Sequence, residues 1–237
     1  MLKKYILIFY FMSAVFCKCQ KPFKTCRVDD SECQRKEAEK TLAHFVIGNK
    51  GCKIPPIIPM VVPKVEIDGP GLSLKFNEMK VYGLERGKYK DIRINPKEKT
   101  IYVQVLIDNG SLIGPYHLKG NLGPIVIDGQ DNANITAINV LFNWTATYEV
   151  KEKHGKQYGN IIDSNIVFDM DLVIFQFDNV VTGNDQLSQA TNKALNADWR
   201  SVVVELAPGV GKIISSIFKL GLGNIMEYIP LDEIFTV

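Results

Sequence analysis

The chain has 237 residues, 46% hydrophobic and 23% charged, with 28 Lys and Arg against 26 Asp and Glu for a net charge of +2. Apolar content this high, with 18 Gly and 11 Pro in no period, excludes a disordered or collagen-like chain. A charge so near zero, with no long Lys/Arg block, gives no electrostatic case for nucleic acid.

Residues 1–19 read as a secretory signal rather than as part of a fold. Lys3 and Lys4 precede an apolar run from Tyr5 to Phe16 that is too short to span a bilayer comfortably. Cleavage is expected after residue 17 to 19, leaving one domain from about residue 20 to 237. A cut after Cys19 removes Lys3, Lys4 and Lys18 and no acid, which takes the 28 bases to 25 against 26 acids, a net −1. No second stretch of 18 or more apolar residues follows, so the expectation is a soluble, extracellular chain without a membrane anchor.

Cysteine usage fits an oxidising compartment. Cys26 and Cys33 enclose a short loop and are the expected disulfide. Cys52 pairs with Cys19 if Cys19 survives cleavage, and is otherwise a buried free thiol. Three sequons, at Asn109, Asn134 and Asn143, are candidate glycosylation sites; Asn134 and then Asn109 lie closest to turn-like residues.

In chain order, Asp29-Asp30-Ser31 opens a short predicted helix from Glu32 to about Val46, which Gly48-Asn49 stops. The segment Ile54 to Pro63 holds four prolines, so it reads as an extended apolar connector that lies along an apolar surface or lines an opening. From Val65 to about Phe177 the period is two. Leu72, Leu74 and Phe76 share a face, as do Ile101, Val103, Val105 and Ile107. Turns are expected at Asn95-Pro96, Asp108-Asn109-Gly110, Asp128-Gly129 and His154-Gly155. Several runs exceed the usual five or six residues, which suits a strongly curved sheet.

After Thr182-Gly183-Asn184-Asp185 the period becomes helical, with Leu187, Leu195, Trp199, Val203, Leu206, Val210, Ile214 and Phe218 at steps of three and four. This predicts one long helix, kinked or divided at Pro208-Gly209 and ended by Gly221 to Gly223. The fold class is α+β: a long C-terminal helix wrapped by a strongly curved antiparallel sheet, with a short N-terminal helix.

Residues along the chain carry a family resemblance. They are the Cys26/Cys33 pair, Gly48, Ile54-Pro55-Pro56 with Pro59, Phe76, Val81, Gly83-Leu84, Tyr116, Gly120 and Asn134-Ile135-Thr136. A C-terminal set follows: Gly183-Asn184-Asp185, Leu187, Asn192, Leu195-Asn196, Trp199 and Ile229-Pro230-Leu231-Asp232-Glu233-Ile234-Phe235. In this order the chain resembles the takeout and juvenile-hormone-binding family of insect proteins. The lack of any Cys after Cys52 favours the takeout branch, and Leu231 stands where the family usually has an aromatic residue.

The resemblance implies a non-enzymatic, monomeric carrier that needs no cofactor and holds a terpenoid hormone-like molecule or lipid in an elongated apolar cavity. Inward positions of strand and helix are then the candidate lining: Ile101, Val103, Val105, Phe142 and Trp144, with Leu195, Trp199, Val203, Leu206, Ile214 and Phe218. Two readings compete: a secreted interaction module that binds a receptor or partner protein, and a hydrolase of lipophilic esters. Chemistry gives the hydrolase little, because His44, His117 and His154 are isolated and no metal-ligand spacing occurs. Leu206 and Ile213 replace the glycine and hydroxyl a phosphate loop requires, and Gly71 to Lys75 lacks the second glycine of a nucleophile elbow. Asp169 and Asp171, two apart on a predicted strand, are the best carboxylate pair and read as a solvated strand face.

Overall fold

The computed structural model describes residues 19–122 and 125–237. The export signal expected over residues 1–19 lies outside the described residues, except for Cys19. Strand β1 (Cys26–Arg27) leads into α1 (Ser31–His44), and β2 (Met60–Asp68), β3 (Leu72–Tyr82), β4 (Lys88–Asn95), β5 (Thr100–Leu122), β6 (Ile125–Lys153), β7 (Lys156–Asp169) and β8 (Leu172–Phe177) follow. Then come α2 (Asp185–Ala197), α3 (Trp199–Tyr228), α4 (Leu231–Ile234) and β9 (Phe235–Thr236).

Helix α1 starts where the acidic and hydroxyl residues place it: the Asp30 carboxylate accepts from the Cys33 amide at 2.9 Å. It ends at His44, short of Val46, and the chain turns at Gly48 with φ +80. A Cβ there would stand 2.7 Å from the nitrogen of Pro56, so only glycine lets the proline connector fold back onto the helix end. The connector is shorter than its prolines suggest, because Met60 to Asp68 join the sheet as an edge strand. Pro63, which has no N–H, falls at a position of β2 without a ladder partner.

The sheet is built around the β5–β6 ladder, paired from Thr100–Thr147 to Leu122–Ile125. Each strand changes its outer neighbour halfway along. β5 pairs with β4 over Thr100–Leu106 and with β3 over Ser111–Gly120. β6 pairs with β8 over Ala133–Ile138 and with β7 over Leu141–Lys153. Neither Asp108-Asn109-Gly110 nor Asp128-Gly129 is a turn; both lie within these strands. Opposite Asp108, Asn139 has φ +52, and the double ribbon continues past it where the outer strands change over. The real reversal is at His154-Gly155, and β7 gives way to β8 at Met170-Asp171. Asp169 and Asp171 therefore do not share a strand face.

The C-terminal helical region divides at Asp198, not at Pro208. α2 lies against β8 and completes its free edge with side chains. The Asn192 amide exchanges hydrogen bonds with the backbone of Phe177 (2.9 and 2.8 Å), and Asn196 does the same with Phe175 (2.7 and 2.8 Å). Two asparagines one helical turn apart thus stand in for a missing strand. α3 runs unbroken for 30 residues, about 45 Å. Pro208 and Val204 are both on its exposed side, where water can satisfy the carbonyl that Pro208 leaves without a donor. Nor does Gly221 to Gly223 end it, because Met226 holds the last turns on the sheet and Ile225 is buried with Phe45, Cys52 and Ile54. Met226 reaches close because Gly159 of β7 has no side chain; a Cβ there would stand 2.4 Å from the Met226 methyl.

Candidate functional site

The curved sheet and α3 leave a space between them. It is a cavity of about 420 Å³ with an almost wholly apolar wall. Val65, Ile67, Leu74 and Phe76 supply one side, and Val103, Val105, Ile107 and Phe142 the other. α3 closes it with Val203, Leu206, Val210, Ile213, Ile214 and Ile217. The connector (Ile54, Pro55, Ile57) and α1 (Ala38, Leu42) cover one end. Many of these helix residues are only half-buried although they point into the fold, since the surface they keep faces the cavity.

Seven of the eleven residues expected in the lining are on this wall: Val103, Val105, Phe142, Val203, Leu206, Ile214 and Phe218. Ile101, Trp144, Leu195 and Trp199 are not, and packing explains each. Trp144 is fully buried, stacked on Phe218 at 5.7 Å, with its indole N–H donating to Ser215 Oγ at 3.1 Å. The sheet and helix walls touch there, and no space remains. Leu195 sits on α2, 1% exposed, and is buried on the β8 side of the core, off the wall. Trp199 opens α3 half-buried under the Arg200 guanidinium, 4.4 Å from the ring centroid. Ile101 is 4% exposed and pairs with Ile94 and Ala146 towards the end of the sheet, one step beyond the wall residue Val103.

The eleven omit the wall residues of β2, β3 and α1, and also Ile107, Phe168, Met170, Val210, Ile213 and Ile217. α1 gave little signal, because its buried face mixes Gln34 and Glu37 with Ala38 and Leu42. These make the end beneath α1 the polar part of the cavity. Glu37 accepts from the Lys24 amide at 2.8 Å and from Lys40 Nζ at 2.5 Å, and the Lys40 ammonium foremost holds its carboxyl below the usual range. Burial pushes the Tyr89 phenol up to about 12, so it keeps its proton.

Both cysteine pairs are bonded. Cys26–Cys33 ties the N-terminal arm to α1, and Cys19–Cys52 fixes the arm to the connector. Cys52 is thus no free thiol. It is buried with Phe45, Ile54, Ile225 and Ile229, beside the connector end of the cavity. Asn109 and Asn134 are exposed, whereas the half-buried Asn143 accepts from Tyr102 Oη (2.7 Å) and Gln104 Nε2 (2.8 Å).

No group of three or more His, Cys, Asp or Glu placed to hold a metal occurs among the described residues. His117 contacts Asp128 at 3.0 Å on the exposed sheet surface, and His44 and His154 are exposed. Asp171 accepts from Asn139 at 2.7 Å. α3 is long and apolar enough to cross a bilayer, with mean hydropathy 1.5 over its most apolar window.

A long helix held in a curled antiparallel sheet, with an apolar cavity between them, defines the class of fold. The model of the haemolymph juvenile hormone binding protein family matches residues 6–236, and the chain belongs to that family. It is 24% identical over 227 residues to the circadian clock-controlled protein daywake of Drosophila melanogaster, covering 90% of this chain and 87% of that one. Daywake of Drosophila yakuba is 25% identical over 232 residues, with the same coverage of 90% and 87%. The crystal structure of Takeout 1 from Epiphyas postvittana superposes with a TM-score of 0.83 at 22% identity, covering 90% of this chain and all of that one. The fold expected from the residues is the fold observed.

Proposed function

We propose that this protein is a secreted, non-enzymatic carrier that binds one small hydrophobic molecule, a terpenoid or lipid, in the cavity between α3 and the sheet. The observation that carries this reading is the cavity itself. Its volume of about 420 Å³ falls in the range of small-molecule sites, about 300–1,000 Å³. A ligand burying ~300 Å² of apolar surface would gain roughly 7 kcal/mol before ordering costs. Val103, Val105, Phe142, Val203, Leu206, Ile214 and Phe218 would touch it.

Export is part of the proposal. The Cys19–Cys52 bond favours signal cleavage after Cys17 or Lys18, because a cut after Cys19 discards one sulfur. The remaining chain is read as one extracellular domain, monomeric, of the takeout branch, with glycans at Asn109 and Asn134 first. The deciding experiment is mass spectrometry of an organic extract of protein purified from a eukaryotic secretion host, paired with titration of a fluorescent apolar probe. A stoichiometric extractable lipid, or saturable probe binding, is expected. A ligand-free protein that binds no probe overturns the carrier reading.

A further inference from the structure

The three sequons share one face of the molecule. Asn134 alternates with buried Ala133 and Ile135, and Asn143 with buried Phe142 and Trp144, so both side chains leave the outer face of β6. Ile138 follows the wall residue Ala137 and turns outward, and Asn109 is its partner across the ladder. Pairing sets the three sites in register: one row is Ile113, Asn134 and Gln176, another Asn109, Ile138 and Leu172, a third Gln104, Asn143 and Val167. A single row separates each from the next, Ser111 with Thr136 and Ile174, then Leu106 with Leu141 and Asp169. Successive sites are therefore about 14–17 Å apart along the ribbon. None of the three side-chain nitrogens makes a hydrogen bond among the described residues. At Asn143 only Oδ1 is engaged, by Tyr102 and Gln104, which leaves Nδ2 free.

Around these sites the face is almost without charge. From the row of Tyr102, Thr145 and Asn165 to that of Asn134, none of the described outward residues is Lys or Arg. The acids there are Asp169, at the β7 border, and Asp108, which is paired with Lys88 of β4. Val167, Ile174 and Leu172 are 63%, 45% and 38% exposed, with half-buried Ile113, Ile138 and Leu141 beside them. Charge returns on the flanking strands, at Lys80 opposite Ile113, Lys88 opposite Leu106 and Arg93 opposite Tyr102. A soluble chain ordinarily places charges across such a surface or covers it.

We propose that N-linked oligosaccharides at Asn134, Asn109 and Asn143 together cover this face, take the place of charged side chains there, and keep Leu172, Ile174 and Val167 from pairing with a second copy of the chain. The inference rests on the export part of the carrier reading, because the secretory route supplies the donor, an oligosaccharide carried on a lipid diphosphate. Nδ2 bonds to the anomeric carbon as that carbon's bond to the diphosphate oxygen breaks, and one Nδ2 proton leaves with the diphosphate. The sugars then offer water the polar surface that the outward side chains lack.

Glycopeptide mapping of the protein from a eukaryotic secretion host is expected to find sugar at all three asparagines. The triple variant Asn109→Gln, Asn134→Gln, Asn143→Gln should shift in light scattering to the mass of a dimer or larger, at concentrations where the glycoprotein is monomeric. If that variant is not secreted, trimming the folded glycoprotein to one sugar per site makes the same comparison. Leu172→Lys with Ile174→Lys should return the sugar-depleted protein to a monomer. A secreted protein bare at Asn143, a sugar-depleted protein that stays monomeric, or association that the two lysines do not relieve overturns the glycan face and leaves the carrier standing. Wild type that is not exported overturns the export reading and this inference with it.

Discussion

Removing the two disulfides separately should have unequal effects, because the loops they close differ in length. Cys19–Cys52 spans 33 residues of sequence and Cys26–Cys33 spans 7. Loop-closure entropy in the unfolded chain then gives ~3.7 kcal/mol for the first and ~2.4 kcal/mol for the second. Truncating Cys52 adds to the larger figure, since its sulfur is fully buried among Phe45, Ile54, Ile225 and Ile229. Double alanine variants, Cys19→Ala with Cys52→Ala and Cys26→Ala with Cys33→Ala, avoid stray thiols, and urea unfolding measures both against wild type. Greater destabilisation from the long loop is expected. Ligand release should also be faster in that variant, because Phe45, Ile54 and Pro55 are cavity wall and Cys52 anchors them. If loss of the short loop costs more, or loss of the long loop costs under about 1 kcal/mol, the entropic reasoning and the bond that motivates it are refuted.

Val210, half-buried on α3 and turned to the cavity, tests whether the space is real. Val210→Phe should lower affinity for an apolar probe about tenfold or more without lowering the melting temperature, since the ring enters vacant volume. An unchanged affinity with a stability loss of about 1–3 kcal/mol would be the signature of a filled core. Glu37 makes stability depend on acid: its folded pKa is lowered, chiefly by Lys40 and then by the Lys24 amide. That contribution is complete above the unfolded value of about 4.3 and is lost as pH falls through the lower folded value. Urea midpoints measured from about pH 5 to pH 3 should decline less for Glu37→Gln than for wild type.

Periodicity made the strands and helices legible wherever each side chain had one environment. Ile101, Val103, Val105 and Ile107 alternate because one face of β5 is buried, and the spacing shows it. It could not show that β5 and β6 each serve two neighbours, because Asp108-Asn109-Gly110 suits a strand bend as well as a turn. Pro208 was misleading for a similar reason. Its cost to a helix is fixed locally, whereas the helix is held by the sheet on its other side. The polar end of the cavity was hidden in α1, where buried Gln34 and Glu37 interrupt the stripe by which an inward face is recognised.

The division between core and cavity was illegible for a more basic reason. A lining residue and a core residue both shed water by being apolar, and Phe142 and Trp144, on the same face of β6, differ only in what stands opposite. Phe218 touches both rings, but opposite Trp144 it is joined by Ser215, which takes the indole N–H and closes the gap. Over Val103, Val105 and Ile107 on the sheet and Val203, Val210 and Ile214 on α3, short branched side chains leave the space between the walls open. Cavity is thus a shortfall of volume between two surfaces distant in sequence. The membrane-like hydropathy of α3 follows from the same arrangement. Its inner side is apolar where it faces the cavity and carries Ser215 only where it packs on Trp144, so the helix takes the composition of a lipid-facing one while lying against a sheet.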